Sequence, residues 1–168
     1  MNAMPIHPFD PSTDAGEFRG ALGTFATGVT VVTTESAQGP LGIVANSFAS
    51  VSLDPPLVLW SPAKSSRRFA HFADASRFAI HVLSADQRDI CAAILGSMTA
   101  VADVPYHKSA CGMPILDGAL ATFECTLEAR HDAGDHVIVV GRVTRAQRRA
   151  GRPLLFHNGR YGELAQAS

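Results

Sequence analysis

The run Val29-Thr30-Val31-Val32-Thr33-Thr34 is β-branched at every position, and it constrains the fold more than any other feature of the chain. β-Branched side chains lose rotamer freedom on a helix and pack well on a pleated surface, so this run is a strand. Gln38-Gly39-Pro40 is turn chemistry, and strand-like sequence resumes over residues 41–53. Asp54-Pro55-Pro56 then breaks the ladder, because two prolines remove two backbone donors. Further strands are read at 57–60, 78–83 and 154–156. Two long strands, 119–130 and 136–148, are joined by His131-Asp132-Ala133-Gly134-Asp135.

Helical signals are short and fall between these runs. Asp14 followed by Glu17 has capping-box spacing, and Phe18, Leu22 and Phe25 share one helical face until Gly28 stops the pattern, which predicts a helix over about 14–26. Ser65 or Ser66 caps a brief helix through Phe72, and Ser84 or Asp86 begins one to about Leu95. Residues 96–118 have weak periodicity with scattered Gly, Pro and Ser, and are read as a long loop. Strands and helices do not alternate regularly, which argues against a doubly wound parallel sheet and favours a small antiparallel barrel with helical additions. Residues 1–13, with prolines at 5, 8 and 11, read as an extended arm; 14–162 as one domain; 163–168 as a loose tail.

Only 17% of the 168 residues are charged, against a globular norm of about 25%, while 46% are hydrophobic. The chain is therefore not disordered, and part of its apolar surface is expected to be covered by a partner or a ligand. A net charge of −1 argues against nucleic-acid binding. Cys91, Cys111 and Cys125 show no CxxC spacing and are read as reduced structural thiols, with no metal site expected. The opening residues carry no basic residue and no apolar run, and the uncharged stretch 36–53 is too short and polar to span a bilayer. A soluble cytoplasmic protein without membrane contact is expected.

There is no GxGxxG after a strand, no phosphate loop, no HExxH and no GxSxG, so Rossmann-type dinucleotide binding, nucleotide hydrolysis, zinc proteolysis and serine hydrolysis lose support. Three segments combine polar side chains with backbone-exposing Gly or Pro. In Ala45-Asn46-Ser47-Phe48-Ala49-Ser50-Val51-Ser52, small residues allow a flat ligand to approach the backbone while Asn46 bonds its edge; a Ser-rich solvent face of an edge strand has the same pattern. Ser61-Pro62-Ala63-Lys64-Ser65-Ser66-Arg67-Arg68 groups hydroxyls and cations as a phosphate site does, and equally as a capped helix with a basic turn does. Gly134-Asp135-His136 is either a hairpin tip presenting an imidazole or a simple polar turn. From His136 to Gly162 there are six arginines and no acid, a run that raises the local potential toward phosphorylated ligands unless it is a solvated strand face.

The runs Phe18–Thr34, Ala45-Asn46-Ser47-Phe48 with Ser50–Val58, Arg77–Leu83, Pro114–Leu120, Ala133-Gly134-Asp135-His136 and Pro153-Leu154-Leu155-Phe156 resemble, in order and spacing, the flavin reductase-like family. The resemblance spans residues 18–161. It implies a mainly β, six- to seven-stranded antiparallel split barrel of Greek-key type with two or three short helices. It further implies an NAD(P)H-dependent flavin reductase that takes FMN or FAD with NADH or NADPH as hydride donor, forms a homodimer, and supplies reduced flavin to a partner monooxygenase. Carried over residue by residue, Val44, Ala45, Asn46, Ser47, Phe48, Ser50 and Val51 line the flavin ring. Ser65, Ser66 and Arg67 hold its phosphate; His136, Phe156, His157, Asn158 and Gly159 face the nicotinamide nucleotide, with Tyr161 near. No side chain is singled out as a catalytic acid or base. Gly96-Ser97-Met98-Thr99-Ala100-Val101-Ala102-Asp103 stands where the family has a Phe-Ala-Gly run, which leaves the flavin-covering loop and the choice of flavin open. Two other readings are a pyridoxamine-phosphate-oxidase-like FMN oxidase, against which the Gly-Asp-His and Asn-Ser-Phe segments argue, and a non-catalytic flavin- or haem-binding module.

Overall fold

The β-branched run is buried on both faces. Within Thr30–Ser36 (β2), Val32 joins an inner apolar cluster with Leu41, Ile43, Trp60, Phe78 and Ile80, while Val31 joins an outer one with Leu83, Ile94, Val101 and Leu154. A strand covered on both sides needs apolar or β-branched residues at consecutive positions, which is what this run supplies.

A computed structural model describes residues 7–164, so the first six residues of the expected arm and the last four of the expected tail lie outside the described residues. Along the chain, α1 (Ala15–Gly23) and β1 (Thr27–Gly28) precede β2, followed by β3 (Gly39–Ala45), β4 (Ala49–Leu53) and β5 (Pro56–Trp60). Next come α2 (Phe69–Ala73), β6 (Arg77–Val82), α3 (Arg88–Gly96), β7 (Tyr106–Lys108) and β8 (Pro114–Leu116). β9 (Ala121–Ala133), β10 (His136–Arg148), β11 (Leu155–His157) and β12 (Arg160–Gly162) complete the order. Seven strands form one antiparallel sheet in the order β3-β2-β6-β9-β10-β5-β4, beside a three-stranded sheet β1-β11-β12 and the hairpin β7-β8.

The connection between the two edges of the large sheet forces its curvature. Laid flat, β3 and β4 would stand roughly 29 Å apart, at about 4.8 Å per strand. They are consecutive in the chain, joined only by Asn46-Ser47-Phe48, which reach roughly 14 Å when extended. The sheet must therefore roll until its edges meet, and because β3 and β4 do not pair the barrel stays split at this corner. The inner cluster fills the roll; α3, the 3₁₀ turn Ala100–Asp103 and β8 cover its outside.

Several boundaries differ from the sequence reading. The stretch 41–53 is two strands rather than one continuous run. The turn expected over 131–135 shrinks to Gly134-Asp135: the ladder pairs His131 with Ile138 and Asp132 with Val137, and Gly134 takes φ 68°, a left-handed conformation open to glycine. The loop expected over 96–118 contains the Ala100–Asp103 turn and the β7–β8 hairpin, with Val101, Ile115 and Leu116 buried and the Thr33 hydroxyl donating to the Pro114 carbonyl at 2.6 Å. Three-residue strands carry no readable period, so their burial could not be anticipated.

Gly141 sits at a bulge in β10 against the inner core. A Cβ there would lie 2.6 Å from Phe78 Cζ and 3.0 Å from Cys125 Cβ, and Phe78 is only 1% exposed. Gly141→Ala is expected to cost about 1–3 kcal/mol by overpacking, read as a lower urea midpoint. An unchanged midpoint would mean that the Phe78 ring moves aside freely.

Candidate active site

The split corner builds the site. As an edge strand, β3 pairs only with β2, so Val44, Ala45 and the exposed Asn46 present backbone groups on an open side. Ser47 ties this corner to the end of β5: its hydroxyl accepts from the Ser61 N–H at 2.9 Å and donates to the Ser61 carbonyl at 3.3 Å. Phe48 goes elsewhere, stacking on Phe123 at 5.5 Å and packing on the inner core. Ser50 and Val51 lie exposed on β4.

The segment 61–68 is fastened to the β9–β10 hairpin. The Lys64 N–H donates to the Asp135 carbonyl (2.9 Å) and the Val137 N–H to the Pro62 carbonyl (3.2 Å). Lys64 Nζ donates to the Gly134 carbonyl at 2.6 Å and pairs with the Asp132 carboxylate. His136 therefore sits opposite Ala63, with Nδ1 2.7 Å from Asp135 Oδ1; that hydrogen bond, aided by the imidazole's charge when protonated, holds the Asp135 carboxyl below its ordinary range. Within the loop Ser66 Oγ accepts from the Arg68 N–H at 3.2 Å, while Ser65 and Arg67 are exposed. Arg68 turns inward: its Nη2 donates to the carbonyls of Ile94 (2.5 Å) and Ser97 (2.7 Å). Burial, with Arg67 alongside, pulls its pKa down.

Two cavities meet on the β3 corner. One, of about 290 Å³, is lined by Ile43–Ser47, Trp60–Ala63, Ser66, Arg68, Leu95 and His136. The other, of about 160 Å³, is lined by Val29, Val44, Ala45, Asn46, Leu95, Phe156 and Tyr161. They share Val44, Ala45, Asn46 and Leu95, so they form one continuous cleft. Of the residues singled out in the sequence, this cleft gathers Val44, Ala45, Asn46, Ser47, Ser66, His136 and Phe156. It does not gather Phe48, Ser50, Val51, Ser65 or Arg67. His157 and Asn158 line an open cleft on the far side of Tyr161, with Ala26, and Gly159 turns the β11–β12 hairpin beside Asn158, with φ of 74° and 47° respectively. A larger hollow, of about 700 Å³, lies between β2, α2 and the β7–β8 hairpin and shares none of the cleft's residues.

Sequence reasoning missed Leu95 and the direction of Arg68. It also missed what holds Tyr161: Phe156 meets its ring edge-on at 5.3 Å, the Arg88 guanidinium stands 5.4 Å from its centre, and Cys91 Sγ is 3.3 Å from its hydroxyl. Burial, together with that Cys91 contact, pushes the Tyr161 hydroxyl up to about 12. The C-terminal arginine run is partly neutralised by acids elsewhere in the chain. Arg142 makes a two-point bridge to Glu128 (2.8 and 2.9 Å), Arg145 lies 3.8 Å from Glu124, and Arg152 is 3.0 Å from Glu163.

An apolar floor with exposed strand backbone, the Asn46 amide at its edge, and the Ser66 hydroxyl and His136 imidazole at one end suits a flat heteroaromatic carrying an anionic group. Among the described residues no group of three or more His, Cys, Asp or Glu converges as a metal site, and no helix is long and apolar enough to cross a membrane.

Comparison with known proteins points the same way. The family model for the flavin reductase like domain matches residues 22–165. The chain is 52% identical over 161 residues to the FMN reductase (NADH) SmoA of Agrobacterium fabrum, covering 95% of this chain and 92% of that one. It is 43% identical over 151 residues to the flavin-dependent monooxygenase reductase subunit HsaB of Rhodococcus jostii, covering 88% and 77%. Among solved structures, the NADH:FAD oxidoreductase SgcE6 of Streptomyces globisporus superposes with a TM-score of 0.91 at 35% identity, covering 99% of this chain and 96% of that one.

Proposed function

The chain belongs to the flavin reductase-like family, and from that premise we infer that it is an oxidoreductase passing hydride from a reduced nicotinamide nucleotide to a flavin. The observation that carries this reading is the continuous cleft over Val44–Asn46, with Ser66 and His136 at one end and Phe156 and Tyr161 at the other. Its donors fit a flavin: unpaired edge-strand backbone and an amide for the polar rim of the ring, small side chains beneath its face, and the Ser66 hydroxyl for a phosphate, with Ser65 and Arg67 at the exposed lip. When the two ligands are bound, the nicotinamide supplies the hydride and the flavin ring accepts it, so the electron chemistry is the cofactors' own.

The residues of this chain contribute position. Val44, Ala45, Asn46 and Ser47 hold the flavin ring, with Phe48 supporting the corner from behind and Ser50 and Val51 on the adjoining strand. Ser66, with Ser65 and Arg67 at the exposed lip, holds the phosphate. His136 and Phe156 orient the nicotinamide nucleotide, and His157, Asn158 and Gly159 border its outer part. No strong general base is required, and alignment of the two rings is where the protein lowers the barrier.

A partner monooxygenase consuming the reduced flavin follows from the reductase subunit named above. A second copy of the chain is the proposed cover for the exposed apolar side chains Phe18, Leu22, Phe25, Val51 and Leu53, the last 96% exposed. The proposed setting is the cytoplasm.

The test is to follow NADH and NADPH oxidation with FMN, FAD and riboflavin in turn. Oxidation with at least one pair is expected; none with any pair, in a protein that still binds flavin, would favour a binding module. His136→Ala is expected to raise the KM for the nicotinamide nucleotide about tenfold, the scale of one lost hydrogen bond, with the flavin KM little changed. Unchanged kinetics would remove His136 from that role.

A further inference from the structure

Leu95 is anomalous for the last turn of α3. Its neighbour Ile94 is buried, yet Leu95 is 53% exposed, a large apolar side chain held at the surface. Among the described residues it is also the one outside the Val44–Asn46 corner that lines both halves of the cleft. Whatever lies across Val44–Asn46 from one half to the other must pass it.

The backbone carrying Leu95 is fixed from the opposite wall. The last carbonyls of a helix lack intrahelical partners and favour a nearby cation. Arg68, 8% exposed, donates to Ile94 O at 2.5 Å and Ser97 O at 2.7 Å, the carbonyls one residue before and two residues after Leu95. Arg68 follows the loop bearing Ser66, and that loop is bonded to the hairpin bearing His136. One buried guanidinium thus sets the spacing between the helix end and the polar end of the cleft. Arg67, the same residue type one position earlier, points to solvent instead.

We propose that Leu95 is an apolar wall for the ring system shared by FMN, FAD and riboflavin, and that Arg68 is the positioning residue that holds it against the cleft. The proposal rests on the flavin reductase reading and adds two residues to it. A wall that meets the ring rather than the phosphate or adenylate acts on all three flavins alike, whereas the lip residues Ser65 and Arg67 act only where a phosphate is present.

The experiment is equilibrium titration of the full-length protein with FMN, FAD and riboflavin, read by flavin fluorescence without a nicotinamide nucleotide, alongside steady-state kinetics. Leu95→Ala is expected to raise all three dissociation constants about tenfold, the scale of one to two buried methylene groups, with kcat changed less than twofold. Leu95→Met should restore binding to within about twofold of the parent, since volume-conserving swaps are tolerated best. Arg68→Met should weaken binding in the same direction, and in the Leu95→Ala background it should add less than about twofold, because residues acting through one contact are not additive. If circular dichroism shows Arg68→Met unfolded, Arg68→Lys replaces it; losing the planar fork, it should give the same non-additive pattern. Unchanged binding in Leu95→Ala, an effect confined to FAD, or full multiplication of the two effects would overturn the proposal. If the parent protein binds no flavin, the functional reading falls; if it binds and Leu95→Ala binds equally well, only the present proposal does.

Discussion

Trp60→Ala is expected to cost about 3–5 kcal/mol of folding stability, while Trp60→Phe should cost less than about 1.5 kcal/mol. Trp60 is 0% exposed on β5, with Phe72 edge-on at 5.5 Å, Phe78 tilted at 6.0 Å, and Val139 opposite it on β10. Truncation to alanine removes the largest side chain of the inner core, and a rolled sheet cannot close around the hole without breaking its ladders. The smaller change weighs two effects of opposite sign. Phenylalanine loses part of the indole's buried area, but it also removes an indole N–H that is buried without a partner. Such an orphan donor costs about 1–3 kcal/mol, which offsets much of the lost area. Urea denaturation of both variants decides the balance. Equal losses in the two would show that the second indole ring supplies the packing and that the unpartnered N–H costs nothing.

Elements set by local sterics were legible in advance, and those set by distant packing were not. Strands announced themselves where sterics are local: the β-branched run at 29–34 became β2, and 136–148 became β10 with both ends as expected. The corner Asn46-Ser47-Phe48 stayed hidden because Asn and Ser suit an exposed strand face as well as a turn; closure of the sheet bends the chain there, and closure depends on strands far away in sequence. The β9–β10 hairpin extends past His131 and Asp132 because Lys64, some seventy residues earlier, binds its tip. At the cleft the divide is chemical. Asn46, Ser66 and His136 stood out because polar residues beside backbone breaks have no role in a core. Leu95 did not, since an apolar residue facing a cleft looks in sequence like any residue facing the core. Arg67 and Arg68 are identical in type and adjacent, and only the position of the α3 C-terminus decides which turns inward.

Acidification should expose a second buried group. His81 is fully buried on β6, where Nδ1 donates to the Val31 carbonyl at 3.0 Å and Nε2 has no partner. Burial pulls its pKa from 6.5 down to about 4; the Val31 hydrogen bond and the Glu124 charge oppose this, and His107 adds to it. The folded chain thus refuses a proton that the unfolded chain accepts. The neutral state's stabilisation is complete above pH 6.5 and is lost as pH falls from 6.5 toward 4, reaching about 3 kcal/mol. The depressed carboxyls of Asp10, Asp86, Glu128 and Asp135 lose their contributions in a lower window, since their ordinary values are 3.8 to 4.5 and their folded values lie below that. The upper limb of the acid transition therefore belongs to His81. Urea midpoints of the parent protein should drop between pH 6.5 and 4.5, whereas His81→Gln, which keeps a donor for Val31 but cannot titrate, should stay nearly flat across that interval. Parallel curves for the two proteins would assign the loss to other groups and leave His81 a purely structural histidine.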